Sequence, residues 1–410
     1  MVGRVDLDQR AYRNAVRRQR MRVVPDRERT ESRVRQRAVA GQARYVDYAL
    51  IFTVIVLIAF GLLMLYSTSS YNAALTKGDP SYYFKHQLAA TALGAVVMAI
   101  MAFLPYRIWK KLAVPAYVTS IVSILLVLSP IGMEINYARR WIRVFGTSIQ
   151  PAEIAKVGII IFLSALCCKF GKRMSTLAGK GYFLGAAILI CGLLYVVTDN
   201  LSSAIIVFGI ALIMLFVATP EYRHFVVIGA ALLGIAAAAI YLITHVEALA
   251  DATFRMERIR IWLNPEAYEK GYQTVQGLYA IGSGGIVGKG LGQSMQKLGF
   301  VPEAQNDMIF SIICEELGLF GAFLVIFLFV VLIWRLFVIA NNAPDRFGAM
   351  LTVGIMAHIM IQVILNIAVV TNTIPNTGIT LPFISYGGTS ILFLMAEIGL
   401  AMSVARSIRA

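Results

Sequence analysis

The sequence predicts an all-α polytopic membrane protein with about ten transmembrane helices. Hydrophobic residues make up 59% of the 410 residues, and the mean hydropathy is +0.73. Charged residues make up only 14% of the chain, whereas soluble domains carry about 25%. Apolar runs long enough to cross a bilayer, which takes about 20 residues, recur along most of the chain. These three observations exclude a soluble globular enzyme.

Ten apolar runs are the predicted spans. A polar tail of 47 residues precedes the first run, so we interpret that run as a span and not as a signal peptide. Only Asp199 and Asn200 separate the fifth run from the sixth. The runs are 48–66, 86–104, 112–131, 152–168, 181–198, 201–218, 224–244, 308–336, 347–370 and 385–405.

The composition divides the chain into two parts. Residues 1–47 hold 13 Arg, no Lys and six acidic residues, and they supply nearly half of the net charge of +15. We predict that they form a disordered basic arm on the cytoplasmic side, where they would contact anionic lipids. No nucleic-acid partner is expected. Residues 48–410 are predicted to form one transmembrane domain.

The distribution of charge predicts the orientation. With the N-terminus inside, the short inner loops and the C-terminus carry 12 Lys and Arg, and the last outer loop, 371–384, carries none. Cytoplasmic loops are enriched in positive residues, so both termini are predicted to be cytoplasmic. The sequence therefore predicts a multi-pass protein of the cytoplasmic (inner) membrane. Its large extracytoplasmic loop, 245–307, lies between spans 7 and 8.

Three segments lie on the outer face in this topology: 132–151, 245–307 and 371–390. Each is rich in Gly, Pro, Ser, Thr and Asn. Such a composition is typical of irregular or re-entrant backbone at membrane depth, so we expect irregular backbone in all three.

The most informative stretch is Gly299–Glu316, which reads GFVPEAQNDMIFSIICEE. It places four carboxylates at and inside the start of a long apolar run. Acidic groups at membrane depth are costly, and they persist mainly where they face a bundle interior, a water-filled cavity or a partner charge. We therefore predict that the chemistry lies here. The four acidic residues are Glu303, Asp307, Glu315 and Glu316.

The motifs of the outer segments closely resemble those of the SEDS family (shape, elongation, division and sporulation), of the FtsW/RodA/SpoVE type. The sequence SIQPAEIAK more closely resembles the motif of FtsW and SpoVE than that of RodA. Gln305 and Asn306 depart from the family, because many relatives have His and Thr there. The matching stretches are ARRWI…SIQPAEIAK at 138–156, GYQTVQ…CEELG at 271–318 and NTIPNTGITLPFISYGGTS at 372–390.

This resemblance implies a peptidoglycan glycosyltransferase, an enzyme that polymerises lipid II into glycan strands at the outer face of the cytoplasmic membrane. It also implies a class B penicillin-binding protein as partner. In such a reaction a sugar hydroxyl displaces a polyprenyl pyrophosphate, and a carboxylate near the acceptor removes the hydroxyl proton as general base. Asp307, at the outer end of a span, is the predicted base. The alternative is that Asp307 only complements a helix N-terminus.

The other acidic residues are predicted to be structural. Glu315 lies eight residues beyond Asp307, about 12 Å deeper along a helix, so it would not share the same substrate atom. Glu316 and Glu153 are also predicted to be structural polar groups. Glu153 is three residues before Lys156, a spacing that favours an ion pair.

The leaving pyrophosphate needs positive charge. Arg140 and Lys156 are favoured because the family motif carries positive residues there, although snorkelling to the interface would also explain such residues. No cluster of His, Cys and carboxylates specifies a metal site, and a divalent cation (Mg²⁺ or Mn²⁺) that bridges the pyrophosphate is left open. Further substrate contacts are predicted at Glu303, Lys297, Gln276, Ser385, Gly387 and Gly388.

Two other classes of function stay open. A lipid II flippase would need buried charges at all depths of the membrane, whereas the sequence places charge at the outer face. A non-enzymatic scaffold for a class B penicillin-binding protein would not need Asp307. On the ninth run, His358, Gln362 and Asn366 share one helical face, for which hydrogen bonding between helices is the simplest account.

Overall fold

The structure of the protein, a computed structural model, describes residues 46–135, 138–144, 147–219 and 254–408, and scattered residues between 223 and 241. These parts of the chain are mostly helical. The helices are α1 (Tyr48–Lys77), α2 (Tyr82–Phe103), α3 (Arg107–Lys111), α4 (Ala113–Leu125), α5 (Pro151–Phe170), α6 (Leu177–Thr198), α7 (Leu201–Ala218), α8 (Phe254–Leu263), α9 (Tyr272–Gly284), α10 (Ile309–Asn341), α11 (Arg346–Val370) and α12 (Gly388–Ala405).

Eight described helices are long and apolar enough to cross a membrane: α1, α2, α5, α6, α7, α10, α11 and α12. Helix α4, with a 3₁₀ turn that ends at Leu128, is a shorter apolar helix. Nine of the ten predicted runs therefore coincide with helices, and the predicted all-α polytopic membrane fold is confirmed. The run 224–244 lies largely outside the described residues, as does nearly all of the predicted arm, 1–47.

Helix α1 is longer than the predicted run 48–66. It continues to a C-cap at Gly78, which adopts a φ of 72°. The prediction ended early because polar residues follow the run. In the structure Ser67 and Ser69 are buried, and Ser67 donates a hydrogen bond to Glu316. A polar residue can therefore continue a span when its partner lies inside the bundle.

We predicted irregular backbone for the segment 132–151, and this prediction is wrong. The segment forms a small antiparallel sheet between α4 and α5. Trp141 lies opposite Met133, and Arg143 lies opposite Ser148. Aromatic and β-branched residues in this segment favour strands. The strands, in the order β1-β2-β3, are β1 (Gly132–Ile135), β2 (Ala138–Val144) and β3 (Thr147–Ile149).

The predicted outer loop 245–307 is described from residue 254, and it too departs from irregular backbone. It contains α8, two 3₁₀ turns and α9 before it reaches the turns that precede α10. Helix α9 packs against α10, so part of this loop is built into the bundle. This helical structure was not predicted from the sequence, because α9 carries three glycines and polar residues that are typical of loops.

Helix α11 lies at the centre of the described bundle, where it packs against α5, α7, α10 and α12. Helix α12 also packs along α2. This second contact is close because Gly399 has no side chain: a Cβ at Gly399 would lie 2.4 Å from the Met98 carbonyl oxygen. Because α11 is packed against four helices, its polar residues face other helices.

Candidate active site

Asp307 lies just before α10 and is only 8% exposed. Burial raises the pKa of its carboxyl from 3.8 to about 7, and the nearby Glu303 adds to the rise. The backbone N–H groups of Asp307 and Met308 and the side chain of Gln273 act in the opposite direction. A carboxyl with a pKa near neutrality can accept and release a proton at working pH, as a general base must.

A chain of hydrogen-bonded amides from α9 and the loop before α12 ends at the Asp307 carboxyl. The Gln273 Nε2 donates to Asp307 Oδ1 at 3.4 Å. The Asn376 Nδ2 donates to Gln273 Oε1 at 3.1 Å, and the Gly378 N–H donates to Asn376 Oδ1 at 3.0 Å. Three segments that are distant in sequence therefore meet at one carboxyl.

Helix α11 fixes the backbone around Asp307. The Asn366 Nδ2 donates to the carbonyl oxygens of Asp307 (2.8 Å) and Ile379 (2.7 Å). One turn earlier, the Gln362 Nε2 donates to the Thr380 carbonyl oxygen at 3.0 Å. Two consecutive carbonyls of the loop are thus held by two consecutive turns of α11. The predicted interhelical role of this helix face becomes a role in fixing the loop beside Asp307.

Three predicted substrate contacts, Ser385, Gly387 and Gly388, organise the backbone that leads into α12. The Ser385 Oγ accepts a hydrogen bond from the Leu381 N–H at 2.8 Å. The Gly387 N–H donates to the Gln87 side-chain oxygen at 3.1 Å. Gly388 is the first residue of α12. Their part in substrate binding stays a prediction.

The same loop also contacts the turn that carries Asp307, because the Tyr386 N–H donates to the Gln305 carbonyl oxygen at 2.9 Å. In that turn Glu303 has a φ of 54° and accepts a hydrogen bond from the Asn306 side chain. Gln276 is half-buried on α9, one turn beyond Gln273. The structure therefore brings Glu303 close to Asp307. The α9 side chain that contacts Asp307 is Gln273, and the predicted substrate contact of Gln276 stays a prediction.

Glu315 and Glu316 are both fully buried, and each fixes the segment between α9 and α10. Glu315 pairs with Lys289 at 2.6 Å and accepts a hydrogen bond from the Ser294 hydroxyl. Glu316 pairs with Lys297 at 2.8 Å. Buried charges are costly unless they are paired and hydrogen-bonded, so this geometry fits a structural role for both acids.

Lys297 is itself buried, and it also donates to the Ser67 hydroxyl at 2.9 Å. Its ammonium group is therefore engaged by Glu316 and Ser67 on the inside of the bundle. Two glycines make this close packing feasible. Gly318 interrupts α10 with a φ of 66°, and a Cβ at Gly288 would lie 2.3 Å from the Glu316 carbonyl oxygen.

A second buried polar network crosses α5, α11 and α12. Lys156 pairs with Glu153 at 2.7 Å and donates to Gln362 Oε1 at 3.4 Å. The same Gln362 oxygen contacts His358 Nε2 at 2.9 Å, and His358 Nδ1 contacts Glu397 at 2.8 Å. The expectation that charge clusters at the outer face was therefore incomplete, because titratable groups also meet inside the bundle.

Arg140 lies on β2, and its guanidinium donates to the carbonyl oxygens of Thr198 (3.2 Å) and Asp199 (2.7 Å). These contacts fix the sheet against the turn between α6 and α7. Lys156 has its charge matched by Glu153. The two favoured cations thus both have protein partners in this structure, and their contact with a pyrophosphate stays a prediction.

Sequence reasoning did not single out Gln273, Asn376 or Gly378. Two local signals point to them in retrospect. Asn376 and Gly378 form an Asn-Thr-Gly turn, and the Asn side chain bonds its own backbone two residues on, as turn asparagines commonly do. Gln273 lies one turn from Gln276, the residue that we selected. Their meeting at Asp307 is a tertiary contact that no local pattern indicates.

In the parts of the chain that the structure describes, no group of three or more His, Cys, Asp or Glu could hold a metal ion. Asp307 has Glu303 as its acidic neighbour, which leaves a potential cation site short of ligands. The described residues thus do not fit a resident metal at Asp307.

Comparison with known proteins then identifies the family. The family model for FtsW, RodA and SpoVE, described as "Cell cycle protein", matches residues 48–410. The chain belongs to the FtsW/RodA/SpoVE family. The family resemblance predicted from the three motif stretches is therefore confirmed.

Individual members of the FtsW/RodA/SpoVE family match nearly the whole chain. Stage V sporulation protein E of Bacillus subtilis is 37% identical over 364 residues, which cover 88% of this chain and 97% of that protein. The probable peptidoglycan glycosyltransferase FtsW of Trichlorobacter lovleyi is 35% identical over 367 residues, which cover 88% and 94%. The match to the family model, over residues 48–410, includes every described segment of the candidate site.

Solved structures of the family share the fold. A chain from a peptidoglycan synthase complex, in which polymerization and crosslinking are coordinated, has a TM-score of 0.72 at 28% identity and covers 88% of this chain and 98% of its own. The rod shape determining protein RodA of Thermus thermophilus has a TM-score of 0.63 at 25% identity and covers 89% and 98%. The described bundle is thus a fold of this family.

Proposed function

We propose that this protein is a peptidoglycan glycosyltransferase that polymerises lipid II into glycan strands, with Asp307 as its general base. The family membership supports the reaction class, because relatives over 30% identical carry that activity in their names. The observation that carries the assignment of Asp307 is its buried carboxyl with a pKa raised to about 7. Amides from α9 and α11 hold this carboxyl and its backbone in place.

The proposed reaction is a substitution at an anomeric carbon. A hydroxyl oxygen of one sugar attacks the anomeric carbon of a second sugar that is linked to polyprenyl pyrophosphate. The new C–O bond forms while the bond from that carbon to the pyrophosphate oxygen breaks. The hydroxyl proton passes to the Asp307 carboxylate, and polyprenyl pyrophosphate leaves with the bonding electron pair. Asp307 must be ionised at the start of this step.

Binding of the pyrophosphate is proposed for Arg140 and Lys156, with Lys297 as a further candidate. Arg forks suit phosphate oxygens, but Arg140 would have to exchange its bonds to backbone carbonyls for bonds to phosphate. Lys156 and Lys297 would have to share their charge with Glu153 and Glu316. A divalent cation would enter with the pyrophosphate and not through a resident site, and no step above depends on it.

A class B penicillin-binding protein is the proposed partner. Support comes from the solved relative that belongs to a peptidoglycan synthase complex, in which polymerization is coordinated with crosslinking. The cytoplasmic membrane, with both termini inside and Asp307 at the outer face, is the proposed location. This orientation would place the base on the side where a glycan strand leaves the membrane.

The test is polymerisation of lipid II by the purified full-length protein, with and without a cognate class B penicillin-binding protein. We expect muramidase-sensitive glycan strands, resolved by gel electrophoresis. Absence of strands in both samples would overturn the proposal. In that case, transport of fluorescent lipid II across proteoliposomes would indicate a flippase, and absence of transport would indicate a scaffold.

A further inference from the structure

The hydrogen-bonded chain that ends at Asp307 has a fixed direction. It starts at a backbone N–H, that of Gly378, which can only donate. The Asn376 side chain accepts this bond through Oδ1, so its Nδ2 faces Gln273 Oε1. The Gln273 Nε2 is then the group that faces Asp307 Oδ1. The Gln273 Nε2 also donates to the Pro302 carbonyl oxygen at 3.4 Å. Because each amide has one donor end and one acceptor end, a 180° flip of the Gln273 amide would break all three bonds.

The two oxygens of Asp307 consequently differ. Oδ1 accepts from Gln273, whereas no side chain in the described ranges donates to Oδ2. Oδ2 faces Gly378, where an added Cβ would lie 4.0 Å from it. Gly378 is exposed and has a φ of 69°, a conformation that favours glycine. The second oxygen therefore lies beside a position with no side chain that is open to the outside.

We propose that Gln273 is a positioning residue that occupies Oδ1 of Asp307 and leaves Oδ2 to take the proton from the acceptor hydroxyl, which binds beside Gly378. This inference rests on the proposed function of Asp307 as base. It adds which oxygen reacts, which residue selects that oxygen and where the acceptor sugar lies. Gln273 acts through Asp307 and does not itself react.

Two side-chain amides bind different parts of Asp307, and this difference supports the role of Gln273. Asn366 holds the Asp307 main chain through its carbonyl oxygen, so it fixes the position of the residue. The carboxyl group is held by the backbone N–H groups of Asp307 and Met308 and by one side chain. Gln273 is that side chain. A misplacement of reacting atoms by about 1 Å can lower the rate of the chemical step about 100-fold.

Gln273 also affects the protonation of the base, because its donated bond favours the ionised carboxylate. On the turn that carries Asp307, Glu303 disfavours that form. From α8, Arg258 donates to the Asn376 carbonyl oxygen, and the pair Glu257–Lys270 lies between α8 and α9. Helix α11 presents the neutral Asn366. Loss of the Gln273 donor should therefore raise the pH at which Asp307 ionises.

The first test compares Gln273→Leu with wild type in the pH dependence of lipid II polymerisation by the purified full-length protein. We expect the acid limb of wild type near pH 7, and a limb shifted upward by about 0.5 to 1 pH unit in the variant. The rate loss should be largest below about pH 7 and should shrink at higher pH. Gln293→Leu, at an exposed loop glutamine, is the matched control and should keep the wild-type profile.

A purely structural role would lower the rate equally at every pH, and that result, or an unshifted limb, would overturn the role of Gln273. The failure of the parent proposal looks different. If Asp307→Asn polymerises at the wild-type rate, the base assignment fails whatever Gln273 does. If Asp307→Asn is inactive while Gln273→Leu keeps the wild-type pH profile, only the present inference fails.

The second test probes the space beside Gly378. Gly378→Asn introduces a side chain next to Oδ2, and asparagine tolerates positive φ better than most residues. Gly78→Asn is the matched control, since Gly78 has a similar φ of 72° and nothing within 4 Å of an added Cβ. We expect a rise in KM for lipid II of about tenfold or more in Gly378→Asn alone, with an unshifted acid limb. An unchanged KM in a folded Gly378→Asn protein would contradict an acceptor bound there.

Discussion

At the scale of single residues, Asp307 shows how burial and polar contacts compete at one carboxyl. Removal from water raises its pKa, while the Gln273 amide and two backbone N–H groups lower it. The resulting pKa is about 7. Ionisation of the Asp307 carboxyl is therefore less favourable in the folded protein than in the unfolded chain. A cost of this kind is common at functional sites, where activity and stability conflict.

This cost predicts that Asp307→Asn stabilises the fold at alkaline pH. The folded pKa lies above the unfolded value of 3.8, so the unfolded chain loses its proton first, and stability falls as pH rises from about 4 to 7. Above pH 7 the penalty is complete, at most about 4 kcal/mol for a shift of about three units. Unfolding measurements in detergent should show a more stable Asp307→Asn protein at pH 8 and no difference near pH 4.

Asp79→Asn provides a control with the opposite sign. Its ion pair with Lys85 lowers the pKa of the exposed Asp79 carboxyl, so the substitution should give a small loss of stability at neutral pH. A less stable Asp307→Asn protein at pH 8 would contradict the assignment of a raised pKa to Asp307.

The sequence could indicate Asp307 but not its neighbours. A carboxylate at the start of an apolar run is visible in a linear pattern, because its cost in a membrane is a property of the residue itself. Gln273 reaches Asp307 across 34 residues, and Asn366 does so across 59. Amides are common and uncharged, so their local pattern does not separate a contact with the base from a loop residue.

At the scale of elements, helix α10 owes its position to two adjacent acidic residues. Glu315 and Glu316 follow the first turns of α10 and pair with Lys289 and Lys297 of the preceding segment. Gly318 then interrupts the helix. We predicted from the sequence that both acids are structural. For Glu315 the reason was that it lies too deep along the helix to share the substrate atom that Asp307 contacts. The sequence did not indicate their partners, because Lys297 also resembles a phosphate contact.

Lys297→Met should therefore destabilise the protein strongly, by about 3 to 5 kcal/mol, because it leaves Glu316 buried without a partner charge. The double variant Lys297→Met with Glu316→Leu should recover most of this loss. Lys289→Met is the control and should cost less, since the Lys289 side chain is 35% exposed. Thermal unfolding of the purified proteins measures all three.

The double variant also separates the two roles of Lys297. If the residue is structural only, polymerisation should recover together with stability. Recovered stability without recovered polymerisation would indicate that Lys297 contacts the pyrophosphate. A stable Lys297→Met single variant would contradict the buried ion pair.

At the scale of the whole molecule, composition and span length were sufficient for the fold class. Nine described runs coincide with helices because an apolar stretch of sufficient length has few alternatives in a bilayer. The boundaries were less predictable. The end of α1 was missed because Ser67 finds its partner, Glu316, 249 residues away. The sheet from Gly132 to Ile149 was missed because the composition of short strands at a membrane surface resembles that of a loop.

The orientation of the bundle follows from charge alone and remains a prediction. A topology reporter fused after Asn341 should be cytoplasmic, and one fused after Ala248 should be extracytoplasmic. The reason is the excess of Lys and Arg on the proposed inner loops. Alkaline phosphatase and green fluorescent protein fusions give opposite signals and control for expression. The same side for both fusions would show that the number of spans is wrong.

The central claim is that Asp307 is the general base of a lipid II polymerase. The measurement that tests it most directly is the initial rate of glycan polymerisation by purified Asp307→Asn protein near pH 7.5. The amide keeps the size of the carboxyl but cannot take a proton. We predict a rate about 10² to 10⁴ times lower than that of wild type, with membrane insertion and partner binding unchanged. A well-folded Asp307→Asn protein that polymerises lipid II at the wild-type rate would contradict the claim.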